Sequence, residues 1–261
     1  MPNIRPPAVA GSFYPDNPNT LASMIESYLE QAEPVDKAPK AMIVPHAGYI
    51  YSGACAATAY ARLQPGRSHI KRVILLGPSH KIGFTGFALS HAEAFRTPLG
   101  NIPLDTNAIA SLAKLPFVEY LEQAHEFEHS LEVQLPFLQM VLDAFYLIPI
   151  VVGDCPAEQI EQLLELFYGT EGTLIIISSD LSHFHDYATA QRLDRETSDK
   201  IERLDYLHLN YDSACGRVPV SGLLSLAQKK SLQIETIDLR NSGDTAGDKS
   251  RVVGYGAYVI N

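Results

Sequence analysis

Leu174-Ile175-Ile176-Ile177-Ser178-Ser179-Asp180-Leu181-Ser182-His183 is an apolar, β-branched run that stops in small polar residues and a histidine. A continuous apolar run of this length reads as a strand buried on both faces, the pattern of a parallel sheet covered by helices. Met42-Ile43-Val44-Pro45-His46 and Leu75-Leu76-Gly77-Pro78-Ser79-His80 repeat the arrangement. The runs predict strands at Ala41–Val44, Val73–Leu76, Leu147–Val152, Leu174–Ile177, Ile234–Leu239 and Val252–Ile260. Between them, apolar residues three and four apart predict helices at Asn17–Gln31, Gly53–Arg62, Thr106–Leu115, Ser130–Ala144, Ala157–Tyr168, Ala188–Leu204 and Val220–Lys229. This alternation predicts an α/β fold with helices on both faces of the sheet. Gly83–Pro103 reads as a mixed or antiparallel extension of that sheet.

The 261 residues suit one large domain, and no linker, repeat or low-complexity tract divides them, so the domain is expected to span 1–261. Acidic residues give a formal net charge of −10, a field that repels nucleic acid and anionic lipid. The longest apolar runs fall far short of the roughly 20 residues a membrane-spanning helix needs. With no leader pattern at Met1–Pro7, the sequence reads as cytoplasmic. Cys55, Cys155 and Cys215 lack any Cys-x-x-Cys spacing and read as small buried hydrophobes.

Ligands of open α/β sheets bind outside the carboxyl ends of the strands, which is where His46, His80 and His183 fall. Two neutral imidazoles and a carboxylate are a donor set for a non-haem metal with open positions. The carboxylate candidates are Asp244, just after the strand predicted at Ile234–Leu239, then Asp248 and Asp180. In His125-Glu126-Phe127-Glu128-His129-Ser130-Leu131-Glu132, His129 and Glu132 lie three apart on one face of a helix, within reach of a shared site. Glu126 and Glu128 read as decoration of a helix N-terminus. Tyr49, Tyr51 and Phe184 read first as core packing and second as an aromatic wall. Absent are a Gly-x-Ser-x-Gly elbow, a phosphate-binding Gly-x-x-x-x-Gly-Lys loop and a His-Glu-x-x-His helix, which argues against serine hydrolases, NTPases and zinc proteases of those kinds.

Together with Arg5-Pro6-Pro7-Ala8-Val9-Ala10-Gly11-Ser12-Phe13-Tyr14-Pro15 and Asn241-Ser242-Gly243-Asp244, these motifs resemble, in order and over the whole chain, the Memo-like family. That family is the middle component (protein B) of the AmmeMemoRadiSam system and is similar to the catalytic subunits of class III extradiol dioxygenases. The resemblance implies a three-layer α/β/α sandwich with a mixed, mostly parallel sheet. It also implies a metal held by His46 and His80, with His129 and His183 as the acid/base pair. The third ligand departs from the family pattern: where a glutamate or a cysteine is expected, this chain reads Gly243-Asp244-Thr245, and Asp244 is assigned on its chemistry.

The expected cofactor is Fe(II), with copper or zinc as alternatives, and the expected substrate is a small oxygen-bearing molecule. His183, with an ordinary pKa of about 6.5, would take a substrate proton, His129 would return one or hydrogen-bond the reacting oxygen, and Asp180 would orient His183. The alternatives are a (phospho)peptide- or ligand-binding scaffold, in which Arg96 or Arg251 receives an anion, and a metal-dependent hydrolase. An AMMECR-type protein and a radical SAM enzyme are the implied partners.

Overall fold

In the computed structural model, which describes residues 3–261, the apolar runs become the middle of one sheet. In chain order the elements are β1 (Ile4–Arg5), α1 (Pro18–Leu29), β2 (Ala41–Val44), α2 (Tyr49–Ala61), β3 (Arg72–Pro78), β4 (Phe87–Leu89), β5 (Ala94–Thr97) and β6 (Gly100–Pro103). These are followed by α3 (Thr106–Leu112), β7 (Val118–Tyr120), α4 (Glu122–Glu126), α5 (Leu135–Val141), β8 (Tyr146–Val152) and α6 (Ala157–Glu165). The chain ends with β9 (Thr173–Ser178), β10 (His183–His185), α7 (Tyr187–Glu202), α8 (Arg217–Lys229), β11 (Glu235–Asn241) and β12 (Val252–Ile260). The main sheet has the order β10-β12-β2-β9-β3-β8-β4-β7, and β11 also pairs with β12. β2, β9, β3 and β8 are mutually parallel, whereas β12 and β4 flank them antiparallel, so the sheet is mixed.

Every residue of β2 is buried, as are all but the first of β3, β8 and β9. Burial on both faces is why these strands read as unbroken apolar runs and not as in-out alternation. α1, α2 and α5 pack together, as do α6, α8 and, through the turn at Tyr206–His208, α7. The two groups flank the sheet and give the expected single-domain α/β architecture. α8 approaches α6 closely because Gly222 has no side chain: a Cβ there would lie 2.2 Å from Cβ of Ile160.

Two stretches differ from the sequence expectation. Of Gly83–Pro103, only β4 joins the main sheet; β5 and β6 form a hairpin that pairs with β1 in a separate three-stranded sheet. The helix expected at Ser130–Ala144 begins only at Leu135, after a tight turn at Glu132–Gln134. Pro136 has no N–H to return to the Glu132 carbonyl, so no α-helical bond can close there.

Candidate metal centre

The parallel register carries the histidines to one place. Val44 is opposite Ser178 and Leu76 opposite Ile177, so the chain leaves β2, β9 and β3 at neighbouring points of one sheet edge. His46 and His80 ring centroids lie 5.1 Å apart, His46 and His129 5.4 Å, and His80 and His129 4.5 Å. His46 is fully buried, while His129 and His80 keep 16% and 28% of their side-chain surface.

Hydrogen bonds fix which nitrogen of each ring is free. Ser178 Oγ donates its only proton to the Ser130 carbonyl (2.6 Å) and accepts from Gln134 Nε2 (2.8 Å). Its contact with His46 Nδ1 at 2.9 Å therefore requires Nδ1–H to donate, which leaves the Nε2 lone pair of His46 free. His80 Nδ1 meets the Glu128 carboxylate at 2.8 Å, and His183 Nδ1 meets the Leu181 carbonyl at 2.8 Å, so both rings donate Nδ1–H to an oxygen and turn Nε2 away from it. Holding Nδ1–H on an oxygen while presenting Nε2 is how proteins prepare a histidine to ligate a metal or accept a proton.

Glu128 is the hub of the His80 side. Burial alone would raise its pKa, but His80 and the backbone N–H groups of His80, His129 and Ser130 bring it down to about 2. Burial, reinforced by His80, lowers His46 to about 3, and burial with His46 and His80 lowers His129 to about 4. Both rings are neutral at pH 7, the form that ligates. Asp180 is buried and its pKa is raised by desolvation; its Oδ1 accepts from the His46 backbone N–H at 2.7 Å and its Oδ2 lies 3.9 Å from His46 Nε2. The pKa of the partly buried Cys215 thiol is likewise pushed up by desolvation, and its Sγ lies 3.2 Å from His46 Nε2 and 3.3 Å from the Asp180 nitrogen.

Among the described residues, two groups of donors lie within 4.8 Å of one another: His46, His80 and Cys215, and His80, Glu128 and His129. In the second group both Glu128 oxygens already accept N–H bonds, so its capacity for an ion is largely used. The first group offers two imidazoles and a sulfur whose proton a metal would displace, a donor set that fits a transition ion. Beside it, His129, Asp180 and His183 open into a cleft of about 390 Å³ that Phe13, Tyr51 and Arg251 also line. The β-bulge between His183 and His185, with Phe184 at φ 64° and exposed, turns His183 toward this cleft.

His46, His80, His129, His183 and Asp180 thus converge as the sequence led us to expect, although Asp180 engages His46 and not His183. Asp244 does not join them. It is exposed, caps its own turn by accepting from the Asn241 N–H, and accepts from the Tyr187 hydroxyl. Cys215 stands beside the two histidines in its place. Asp248 lines the cleft and accepts from the Ser250 N–H.

Glu132 is also held elsewhere: its carboxylate accepts from Arg5 Nη1 (2.7 Å), Ala8 N (2.7 Å), Val9 N (2.9 Å) and Tyr14 OH (2.6 Å). It anchors the N-terminal segment, which in turn places the Phe13 ring 4.7 Å from His129. Tyr49 is core, with its hydroxyl on the Val133 carbonyl. The sequence reading missed Cys215 and the hub role of Glu128. Cys215 is 169 residues from His46 and carries no spacing signal, whereas the crowding of Glu128 among His125, His129 and Ser130 was a visible cue.

The family model described as Memo-like protein matches residues 5–259. The chain belongs to the Memo-like family. Among its relatives, a "MEMO1 family protein" of Aquifex aeolicus is 38% identical and one of Sulfolobus acidocaldarius 37% identical, each alignment covering 97% of both chains. A third, of Thermoplasma volcanium, is 34% identical over 98% of both. In this Memo-like protein, no helix among the described residues is long and apolar enough to cross a membrane.

Proposed function

We propose that this Memo-like protein is a metal-dependent redox enzyme of the class III extradiol dioxygenase kind, acting on a small oxygen-bearing substrate in the cleft beside His129 and His183. The observation that supports this reading most is the pair of imidazoles, His46 and His80, each with Nδ1 held by an oxygen, beside the partly buried Cys215 thiol. His46, His80 and Cys215 would hold the metal. Iron(II) is the ion we propose; the sulfur in the donor set makes copper(I) its main competitor. When bound, such an ion supplies a redox-active Lewis acid with open coordination positions.

The chain's own groups account for proton handling. His183, with Nδ1–H spent on the Leu181 carbonyl, receives a substrate hydroxyl proton at Nε2. His129, held neutral by burial, hydrogen-bonds the substrate and does not act as a standing acid. The buried Asp180 carboxyl fixes the His46 loop through its N–H. Phe13 and Tyr51 form the apolar side of the cleft that keeps water from the reacting end.

The test is oxygen uptake by anaerobically iron-loaded protein over a panel of catechols and other vicinal oxygen compounds, with a His183→Ala variant alongside. The reading expects uptake in the wild type, and full metal with lost uptake in the variant. A loaded wild type that turns over none of them contradicts it.

Arg251 favours a second reading. Its guanidinium lies 4.4 Å above the Phe184 ring and lines the same cleft, a platform for an anionic group bound without turnover. The family resemblance extends our proposal to partners, an AMMECR-type protein and a radical SAM enzyme, which co-purification would test.

A further inference from the structure

Cys215 faces a second cavity as well as His46. This cavity, about 200 Å³, lies between the carboxyl ends of β3 and β8 and the start of α8, and it shares no lining residue with the histidine cleft. Pro78, Ile82, Phe84 and Val152 give it apolar walls; its charged residues are Arg217 and Asp154.

Among the described residues Arg217 forms no ion pair, a state it shares with Arg96, Arg195, Arg203 and Arg251, but of these it alone lines this cavity. Its Nε is buried without a hydrogen-bond partner, and its guanidinium is held 3.9 Å from the centroid of the Tyr211 ring. A guanidinium stacked on one face by Tyr211 keeps its in-plane N–H groups for an anion, and a carboxylate matches their planar geometry. Asp154 lines the same cavity and is exposed, without forming an ion pair with Arg217. An unpaired cation and an unpaired anion on the lining of one largely apolar cavity suit a molecule that carries the complementary pair.

We propose that this cavity is a binding subsite for a small zwitterion with an apolar body, of the amino-acid class, its carboxylate on Arg217 and its ammonium toward Asp154. A phosphate dianion satisfies Arg217 but meets Asp154 as a like charge, so the cavity selects against it. Cys215 lines this cavity and also belongs to the metal donor group, but the contacts proposed to Arg217 and Asp154 need no metal.

The probes are L-leucine, 4-methylpentanoate (no ammonium), isopentylamine (no carboxylate) and inorganic phosphate, titrated into the metal-free full chain by calorimetry and NMR. L-Leucine is expected to bind saturably, with each truncated analogue weaker by about tenfold or more, the size of one lost charge-assisted hydrogen bond. Arg217→Met should reduce L-leucine to the level of the amine, and Asp154→Asn should reduce it to the level of the carboxylate. Gly83 lies on the cavity wall, and a Cβ there meets nothing within 4 Å, so Gly83→Leu has room to start its side chain and should fill the cavity and abolish binding, with calorimetric unfolding run alongside to show that the variant folds. No saturable L-leucine binding to the wild type overturns the proposal. So does binding unchanged in Arg217→Met or in Gly83→Leu, or phosphate binding more tightly than the amino acid.

Discussion

Glu132→Gln separates a catalytic from an anchoring role for this carboxylate. Four donors converge on Glu132: the Arg5 guanidinium, two backbone N–H groups and the Tyr14 hydroxyl, all between 2.6 and 2.9 Å. The pair with Arg5 is buried, with 7% and 0% of the side-chain surfaces exposed. Glutamine offers one acceptor oxygen and turns an NH₂ toward groups that are themselves donors, so Arg5 loses its counter-charge. Breaking a buried ion pair from one side costs about 3–5 kcal/mol. Unfolding entropy is about 2.1 cal/mol/K per residue, so a chain of this length should melt roughly 5–9 °C lower. Calorimetry of Glu132→Gln, Arg5→Met and the double variant measures this, and the double variant should fall well short of the sum because both singles break the same pair. Below its melting point Glu132→Gln should bind metal like the wild type, since no donor of the His46, His80 and Cys215 group is touched. An unchanged melting temperature together with lost metal would refute the anchoring role.

The remaining predictions concern particular contacts. Burial raises the Asp194 carboxyl to about 6 from an ordinary 3.8, so between these values the folded state keeps a proton that the unfolded chain has lost. Stability from this group is complete below about pH 4 and is lost as pH rises through 6, about 3 kcal/mol in all; Asp194→Asn should remove that pH dependence in urea unfolding, and an identical slope in both proteins would contradict it. Ser178→Ala removes the acceptor of His46 Nδ1–H and should weaken metal binding about 10–100-fold in chelator competition; unchanged affinity would show that the bond does not prepare the ligand. Gly222→Ala drives a methyl into Ile160 and should cost about 1–3 kcal/mol in denaturant unfolding, with wild-type stability counting against the close α6–α8 contact.

What was legible in the sequence follows from how each feature is encoded. β2, β9 and β3 are buried on both faces, so local hydrophobicity alone exposes them, and their parallel adjacency converts three separate strand-end histidines into one cluster. The β5–β6 hairpin was misplaced because its partner is β1, some ninety residues away, joined through pairs such as Ile4 with Ala94 that no local pattern predicts. Asp244 was well placed along the chain, for Ser242 of its turn does reach the cleft. The capping box and Tyr187 nevertheless turn its carboxylate back on its own turn, a matter of side-chain direction that residue type does not encode. Cys215 is invisible for the opposite reason: it enters from the loop before α8, and only the packed structure brings its sulfur to His46. Glu132 carried the right chemistry for a site but faced a segment at the other end of the chain.

Metal content of anaerobically purified protein, wild type against His46→Ala, Cys215→Ala and Asp244→Ala, tests the metal centre most directly. We predict near-stoichiometric transition metal in the wild type and in Asp244→Ala, and its loss in His46→Ala and Cys215→Ala. Metal retained in Cys215→Ala and lost in Asp244→Ala would contradict the centre described above.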